Sequence, residues 1–270
     1  MIMALKRPIN AVLLDLSGTL HIEDKAVKDA VRAVQRLRDA NKKVHFITNT
    51  TKEPRHVLYH RLRKMGFRLT EDDITSSLTA VKSYLQARHL RPLLMVSDAA
   101  MEEFQDIDTH DPNAVVVGLA PKKFDFDPMN EAFRLLLDKA QLIAIHKARY
   151  YRTKTGLALG PGPFVTALEY ATDKTAKVVG KPEKSFFMEV LKRIKCDPEE
   201  TVMVGDDVRD DIDGAQKAGM RGILVMTGKY MYLDETKISP KPWATASSVV
   251  EAVDIVLNED KQPKSSVPLP

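Results

Sequence analysis

Cysteine is almost absent from this chain. The single one, Cys196, excludes an intramolecular disulfide and a multi-cysteine zinc site. No apolar run approaches the roughly 20 residues needed to span a bilayer. The first ten residues, MIMALKRPIN, lack the long apolar stretch and small-residue cleavage site of a secretory signal. Charge of one sign is also scarce: 41 Lys and Arg against 37 Asp and Glu leave a formal +4, spread too evenly to suggest nucleic acid. No glycine-rich fingerprint follows the first apolar run, which argues against a dinucleotide-binding dehydrogenase, and no internal repeat is visible. These absences lead us to expect a cytoplasmic protein, with a nuclear pool left open, that engages neither nucleic acid nor membrane. What is present is ordinary: 270 residues, 44% hydrophobic and 29% charged, enough for a real core and for one or two domains.

Apolar periodicity gives the organisation. Residues 9–15, INAVLLD, read as a buried strand ending in an acid, followed by the loop LSGTLHIED. Residues 26–42 read as a helix with Val27, Ala30, Val31, Val34 and Leu37 on one face, 43–50 (KVHFITNT) as a strand, and 54–67 as a helix stopped at Gly66. The alternation returns after residue 175: AKVVG, ETVMVGDD and RGILVMTG as strands, KSFFMEVLKRIK, DIDGAQKAG and SSVVEAVDIVLNE as helices. Strand–helix alternation of this kind favours an α/β fold with a doubly wound, Rossmann-like parallel sheet. Between the halves lie further strands (PLLMVSD, NAVVVGL, LIAIHKA) and helices (PMNEAFRLLLDK, PFVTALEYATD). We read residues 1–81 and 176–260 as one core, 82–175 as an inserted α/β domain, and 261–270, KQPKSSVPLP, as a disordered tail.

Four segments carry chemistry, each at the carboxyl end of an expected strand, where open parallel sheets bind ligands. Asp15, in DLSGTL, can ligate a hard cation or act as a nucleophile, or simply cap a loop; Gly18 permits a tight turn whose N–H groups can cradle an anion. Thr48 and Asn49, followed by Thr50, suit phosphate oxygens at a helix N-terminus, and are equally common as helix caps. Lys181, held between Gly180 and Pro182, can neutralise a phosphate or a developing oxyanion; most lysines are merely solvated. Asp206, Asp207, Asp210, Asp211 and Asp213 fall within eight residues. Oxygen ligands of this type suit Mg2+, which needs only one or two carboxylates, although Asp210 and Asp213 also read as a solvated acidic turn.

Taken in order, nucleophile, hydroxyl and amide, lysine, acidic pair, these segments resemble the haloacid dehalogenase superfamily of phosphohydrolases. The resemblance covers nearly the whole chain. The domain inserted after the second motif resembles the cap of the branch containing pyridoxal-phosphate and phosphoglycolate phosphatases, and DLSGTLHIED, VVGKPEKSFF, GLALGPGPFVTALEYA and VMVGDD carry it further into that branch. It implies that Asp15 forms an aspartyl-phosphate and ligates Mg2+, with position 17 ligating through its main-chain carbonyl. It further implies that Thr48 and Asn49 bind the transferring phosphoryl group, that Lys181 neutralises its charge, and that Asp206 ligates Mg2+. Asp211, with Asp207 as the weaker candidate, would orient a metal-bound water. The substrate would be a small phosphorylated molecule or a phospho-amino acid, and the branch often dimerises through its cap.

One position departs from the pattern. Most phosphatases of the superfamily carry a second aspartate two residues after the nucleophile to protonate the leaving group and activate water. Here it is Ser17, a poor acid and base near neutral pH. General acid–base catalysis is typically worth about 10²–10⁴-fold, so alkyl phosphate esters should be poor substrates. Good leaving groups, as in phosphoramidates such as phosphohistidine or phospholysine, or pyrophosphate, remove the need; a branch member acting on such substrates resembles this chain at the same serine. The proton could instead come from the cap or the substrate. The alternative is a weakly catalytic or non-catalytic protein that binds a phosphorylated ligand or regulates.

Smaller features complete the reading. His146, Lys147, Arg149 and Arg152 surround Tyr150 and Tyr151, a cluster that could meet an anionic substrate or be a strand end with a charged turn. Gly160 to Pro163 shape a turn. His45 reads as a strand residue, Cys196 has no catalytic role, Phe133 with Leu135, Leu136 and Leu137 reads as core or dimer face, and Trp243 as a packing anchor.

Overall fold

The computed structural model describes residues 7–153 and 155–259, without the Arg152 side chain; the expected tail at 261–270 lies outside them. In chain order the strands are β1 (Ala11–Asp15), β2 (His21–Ile22), β3 (Lys25–Ala26), β4 (Lys43–Thr48), β5 (Ile74–Ser76), β6 (Pro92–Met95), β7 (Ala114–Val117), β8 (Gln141–Ala144), β9 (Tyr150–Thr153), β10 (Gly156–Leu159), β11 (Lys177–Val178), β12 (Thr201–Gly205), β13 (Arg221–Val225) and β14 (Ala244–Ala246). The helices are α1 (Ala30–Asp39), α2 (Arg55–Lys64), α3 (Ser77–Ala87), α4 (Phe126–Leu137), α5 (Gly162–Thr172), α6 (Lys184–Ile194), α7 (Gly214–Lys217) and α8 (Val249–Glu259). The chain forms two compact units, residues 1–45 with 191–270 and residues 46–190.

In the first unit parallel strands run in the order β14-β13-β12-β1, with the start of β4 joined to β1's edge by the Lys43 N–H on the Asn10 carbonyl at 2.9 Å. Every residue of β1 and β12 is buried, as a parallel sheet covered on both faces requires. That is why these strands read as unbroken apolar runs rather than alternating ones. The chain leaves β1 toward β4 on one side and fills β12, β13 and β14 on the other, so the strand order reverses between β1 and β12. Such a reversal opens a crevice beyond the carboxyl ends of the two strands, which here are Asp15 and Gly205 followed by Asp206.

Helix α1 buries Ala30, Ala33, Val34 and Leu37, the i, i+3, i+4, i+7 stripe of a core-facing helix. It packs against α8, and Arg36 reaches Asp254 across that contact at 2.6 Å. The helix starts at Ala30 rather than Ala26, because Lys25 and Ala26 pair back onto His21 and Ile22 as a small hairpin and Asp29 turns the chain at φ 59°. The expected helix at 211–219 begins as a π-helical turn, Val208–Asp213, before α7. Trp243 lies beside Arg221, whose guanidinium sits 5.4 Å from the ring centroid.

The second unit holds the end of β4 paired in parallel with β5, and a separate four-stranded parallel sheet in the order β11-β8-β7-β6. Val115, Val117, Leu142 and Ala144 form its core with Ala132 and Leu136 of α4 and Val165 and Leu168 of α5. Phe124 and Phe164 stack at 3.8 Å between centroids. The stretch from Tyr150 to Leu159 is an antiparallel hairpin, β9 with β10, not a strand end with a turn. Of the apolar run in α4, Leu136 is fully buried, Phe133 and Leu135 are partly so, and Leu137 is 61% exposed. Successive residues on a helix point 100° apart, so three consecutive leucines cannot share one face. Leu136→Ala is therefore expected to cost about 2–5 kcal/mol, read as a clear fall in the midpoint of thermal unfolding, while Leu137→Ala leaves the midpoint nearly unchanged.

Candidate active site

The carboxyl ends of β1 and β12 bring together three acids that are far apart in the chain. Carboxylate oxygens of Asp15, Asp206 and Asp211 lie within 4.8 Å of one another, and all three residues are buried. Asp15 ends β1, and the Thr19 hydroxyl donates to its Oδ2 at 3.3 Å. The loop between them is wound tightly. The N–H groups of Thr19, Leu20 and His21 converge on the Leu16 carbonyl, and the Gly18 N–H donates to the His21 carbonyl. Ser17 itself is exposed, and among the described residues no hydrogen bond ends on its carbonyl.

Two glycines make the close approach possible. A Cβ on Gly18, whose φ is +94°, would lie 2.0 Å from Asp206 Oδ2, and a Cβ on Gly205 would lie 2.2 Å from Asp211 Oδ2. The first of these positions also needs the left-handed backbone that glycine adopts freely. The Thr227 hydroxyl closes the loop from the other side by donating to the Gly18 carbonyl at 2.5 Å.

The acidic segment after β12 divides its duties. Asp206 Oδ2 accepts the Lys229 main-chain N–H at 2.7 Å. Asp211 Oδ2 accepts the Asp207 N–H at 3.1 Å. Asp207 caps the following turn, its Oδ1 accepting N–H groups from Arg209 and Asp210 at 3.0 Å, and its Oδ2 meets the Lys229 ammonium at 3.3 Å. Asp213 pairs with Lys217 one helical turn on.

Electrostatics follow from this crowding. Burial and then the neighbouring Asp15 charge push the Asp206 carboxyl well above the usual range, against the opposing pull of Lys229. For Asp207, burial works in the same direction, but Lys229 and the two capping N–H groups outweigh it and hold the carboxyl below its ordinary value. Burial alone would lower the Lys229 ammonium; the surrounding carboxylates, Asp207 first, raise it instead. Buried like charges this close are costly unless a cation sits among them. The donor set, three carboxylate groups with a main-chain carbonyl nearby in sequence, is all oxygen and fits Mg2+.

The second unit arranges the other expected residues. Thr48 is buried at the end of β4, and its hydroxyl accepts the Thr50 N–H at 3.1 Å. Asn49 clasps the Lys181 main chain with both ends of its amide: Nδ2 donates to the Lys181 carbonyl at 2.9 Å, and Oδ1 accepts the Lys181 N–H at 3.0 Å. Lys181 is buried. In the basic-aromatic stretch, Lys147 is paired with Glu169 at 2.7 Å, His146 is buried, and the Lys52 ammonium lies 5.0 Å from the Tyr151 ring centroid. His45 is buried within β4, and Cys196 Sγ donates to the Ile194 carbonyl at 3.7 Å.

Sequence reading passed over Thr19, Thr227 and Lys229. Thr19 stands in the same loop as Asp15, within reach of the helical-turn spacing that returns it to that carboxylate. Lys229 follows the strand end RGILVMTG, a carboxyl-end position of the kind used for the other candidates.

Among known families, models described as haloacid dehalogenase-like hydrolase and HAD-hydrolase-like match residues 12–110 and 178–252. The chain is 60% identical over 255 residues to haloacid dehalogenase-like hydrolase domain-containing protein 2 of Rattus norvegicus, covering 94% of this chain and 98% of that one. It is 42% identical over 257 residues to the phospholysine phosphohistidine inorganic pyrophosphate phosphatase of Danio rerio, covering 93% and 95%. A 4-nitrophenylphosphatase from Thermotoga maritima shares the fold with a TM-score of 0.84 at 24% identity over 92% of this chain and 97% of that one. A glycerol phosphate phosphatase from Mycobacterium tuberculosis, solved in complex with magnesium, follows at 0.78 and 25%, covering 89% and 76%. Among the described residues no helix is long and apolar enough to cross a membrane.

A carboxyl whose folded value is raised above its unfolded one destabilises the fold as pH climbs through that interval. For Asp206 the penalty is absent below the ordinary carboxylate range and present in full at alkaline pH. In metal-free protein, Asp206→Asn is thus expected to raise the unfolding midpoint at pH 8, with the gain vanishing near pH 4. A wild type more stable than the variant at pH 8 in excess chelator would contradict the crowding described above.

Proposed function

Because this chain belongs to the haloacid dehalogenase-like hydrolases, we propose that it is a Mg2+-dependent phosphohydrolase working through a phosphorylated Asp15. The observation that carries this reading is the buried triad of Asp15, Asp206 and Asp211 at the point where strand order reverses. Asp15, Asp206 and the Ser17 main-chain carbonyl would hold the metal. When bound, Mg2+ supplies charge neutralisation between an attacking carboxylate and the phosphoryl oxygens, the dominant need in phosphoryl transfer.

The chain's own residues do the rest. One Asp15 oxygen attacks phosphorus as the bond to the leaving group breaks, while the Thr19 hydroxyl on Oδ2 fixes the rotamer of the attacking carboxylate. Water then attacks the phosphorus of the aspartyl-phosphate, which releases inorganic phosphate and regenerates the carboxylate. Thr48 and the Asn49 main chain are assigned to the phosphoryl oxygens and Lys181 to their charge, on motif order and on the clasp that fixes the Lys181 loop. The Asn49 side chain spends its amide on that clasp, so its part is to position Lys181. Asp211 is assigned to water orientation, and Asp207, with both oxygens engaged, to holding the turn. Residues 82–175 are proposed as the cap; they carry β6, β7 and β8, three of the strands of the four-stranded sheet.

Ser17 narrows the substrate. Its side chain is a poor proton donor to an alkoxide, which favours a leaving group that needs no acid at that position. A phosphoramidate nitrogen, once protonated, leaves as a neutral amine or imidazole, and pyrophosphate leaves as stable phosphate. The chemistry therefore favours phosphohistidine-like, phospholysine-like or pyrophosphate substrates over alkyl monoesters, in keeping with the activity named for the phosphatase from Danio rerio.

Assays across P–N bonds, pyrophosphate and alkyl monoesters, with and without Mg2+, test this. Turnover is expected on the first two classes only with metal, and Asp15→Asn is expected to abolish it with the unfolding midpoint retained. Equal inactivity of wild type and Asp15→Asn on the whole panel would favour a protein that only binds a phosphorylated ligand. Ser17→Asp is expected to raise alkyl monoester turnover by about 10²-fold, the lower end of what an acid–base group contributes.

A further inference from the structure

Lys229 touches both members of the acidic pair with different parts of itself. Its main-chain N–H binds Asp206 Oδ2, and its ammonium binds Asp207 Oδ2. The side chain is 23% exposed, as is that of Asp207, so the pair sits at the rim of the buried triad rather than in bulk water. Asp207's remaining oxygen already receives two main-chain N–H groups. Both of its carboxylate oxygens are thereby engaged, although it is adjacent in sequence to Asp206.

We propose that Lys229 is a positioning residue that keeps Asp207 out of the metal's ligand set and places a fixed positive charge beside the site, setting how tightly a divalent cation is held. The inference rests on the reading of Asp15 and Asp206 as metal ligands. The two contacts separate cleanly. Replacing the side chain leaves the main-chain bond to Asp206 in place, so what changes is charge and the freedom of Asp207. A positive charge beside a dication repels it. With water-like screening at about 6 Å, removing that charge is worth about tenfold in affinity.

This makes a prediction opposite to that of a purely structural role, in which losing Lys229 would loosen the site and weaken binding. In Mn2+ titrations followed by electron paramagnetic resonance, Lys229→Met is expected to bind about tenfold tighter than wild type, and Lys229→Arg within about twofold of it, since charge is kept. A Lys229→Met protein that binds Mn2+ equally or more weakly overturns the positioning role. Wild type that binds no Mn2+, or Asp206→Asn that binds it as well as wild type, overturns the metal reading instead. A metal-free arm guards against misfolding. In excess chelator Lys229→Met should unfold several degrees below wild type, and adding Asp207→Asn should recover part of that loss; strictly additive losses overturn the pairing.

Discussion

Three carboxylates, from Asp15, Asp206 and Asp211, are held within 4.8 Å of one another in a place that excludes water. Left alone, like charges at that distance in a poorly solvated site repel strongly, and much of the surrounding architecture answers that repulsion. The Thr19 hydroxyl and the main-chain N–H groups of Asp207 and Lys229 each donate to one of the three carboxylates. Glycine stands at positions 18 and 205 because any larger residue would collide with those same carboxylates. The strand ends that supply Asp15 and Asp206 are brought side by side by parallel pairing of β1 with β12, a pairing stabilised by burial of both sheet faces rather than by anything in the site. Core stability thus holds an arrangement that local electrostatics would disperse, a common division between scaffold and active site.

The same arrangement accommodates a serine two residues after Asp15 without a change of architecture. Ser17 faces outward, and the main-chain bonds that wind its loop belong to Leu16, Gly18 and His21. A change of side chain there leaves those main-chain bonds in place. Under the proposed function, selection of the substrate then passes to the leaving group. The Asn49–Lys181 clasp has a related logic in the second unit, where a side-chain amide substitutes for a strand pairing and fixes the main chain on either side of a buried lysine.

Much of this was legible in the sequence. Apolar runs in β1, β12 and β13 announced buried parallel strands, since both faces are covered and no alternation is required. The candidates at their carboxyl ends followed from the general placement of ligands in such sheets. Helix boundaries were less legible where short-range pairing overrode periodicity, as at Val27, which lies in the turn after the β2–β3 hairpin. Leu137 failed as a core residue because composition cannot tell which of three adjacent leucines faces inward. The hairpin at Tyr150–Leu159 was missed because its pairing is a relation between two segments, and neither segment states it alone.

The sequence by itself determined the strand–helix alternation and the positions of the acids, the lysine, the serine and the single cysteine, because these are properties of residue type and local spacing. Only the tertiary structure decided that Asp211 joins Asp15 and Asp206 while Asp207 does not, since adjacent carboxylates are chemically identical until main-chain donors and Lys229 claim one of them. It likewise decided the part of Lys229, a residue whose charge is unremarkable in composition. That charge becomes consequential because a turn after β13 folds it against an acid segment from the neighbouring strand.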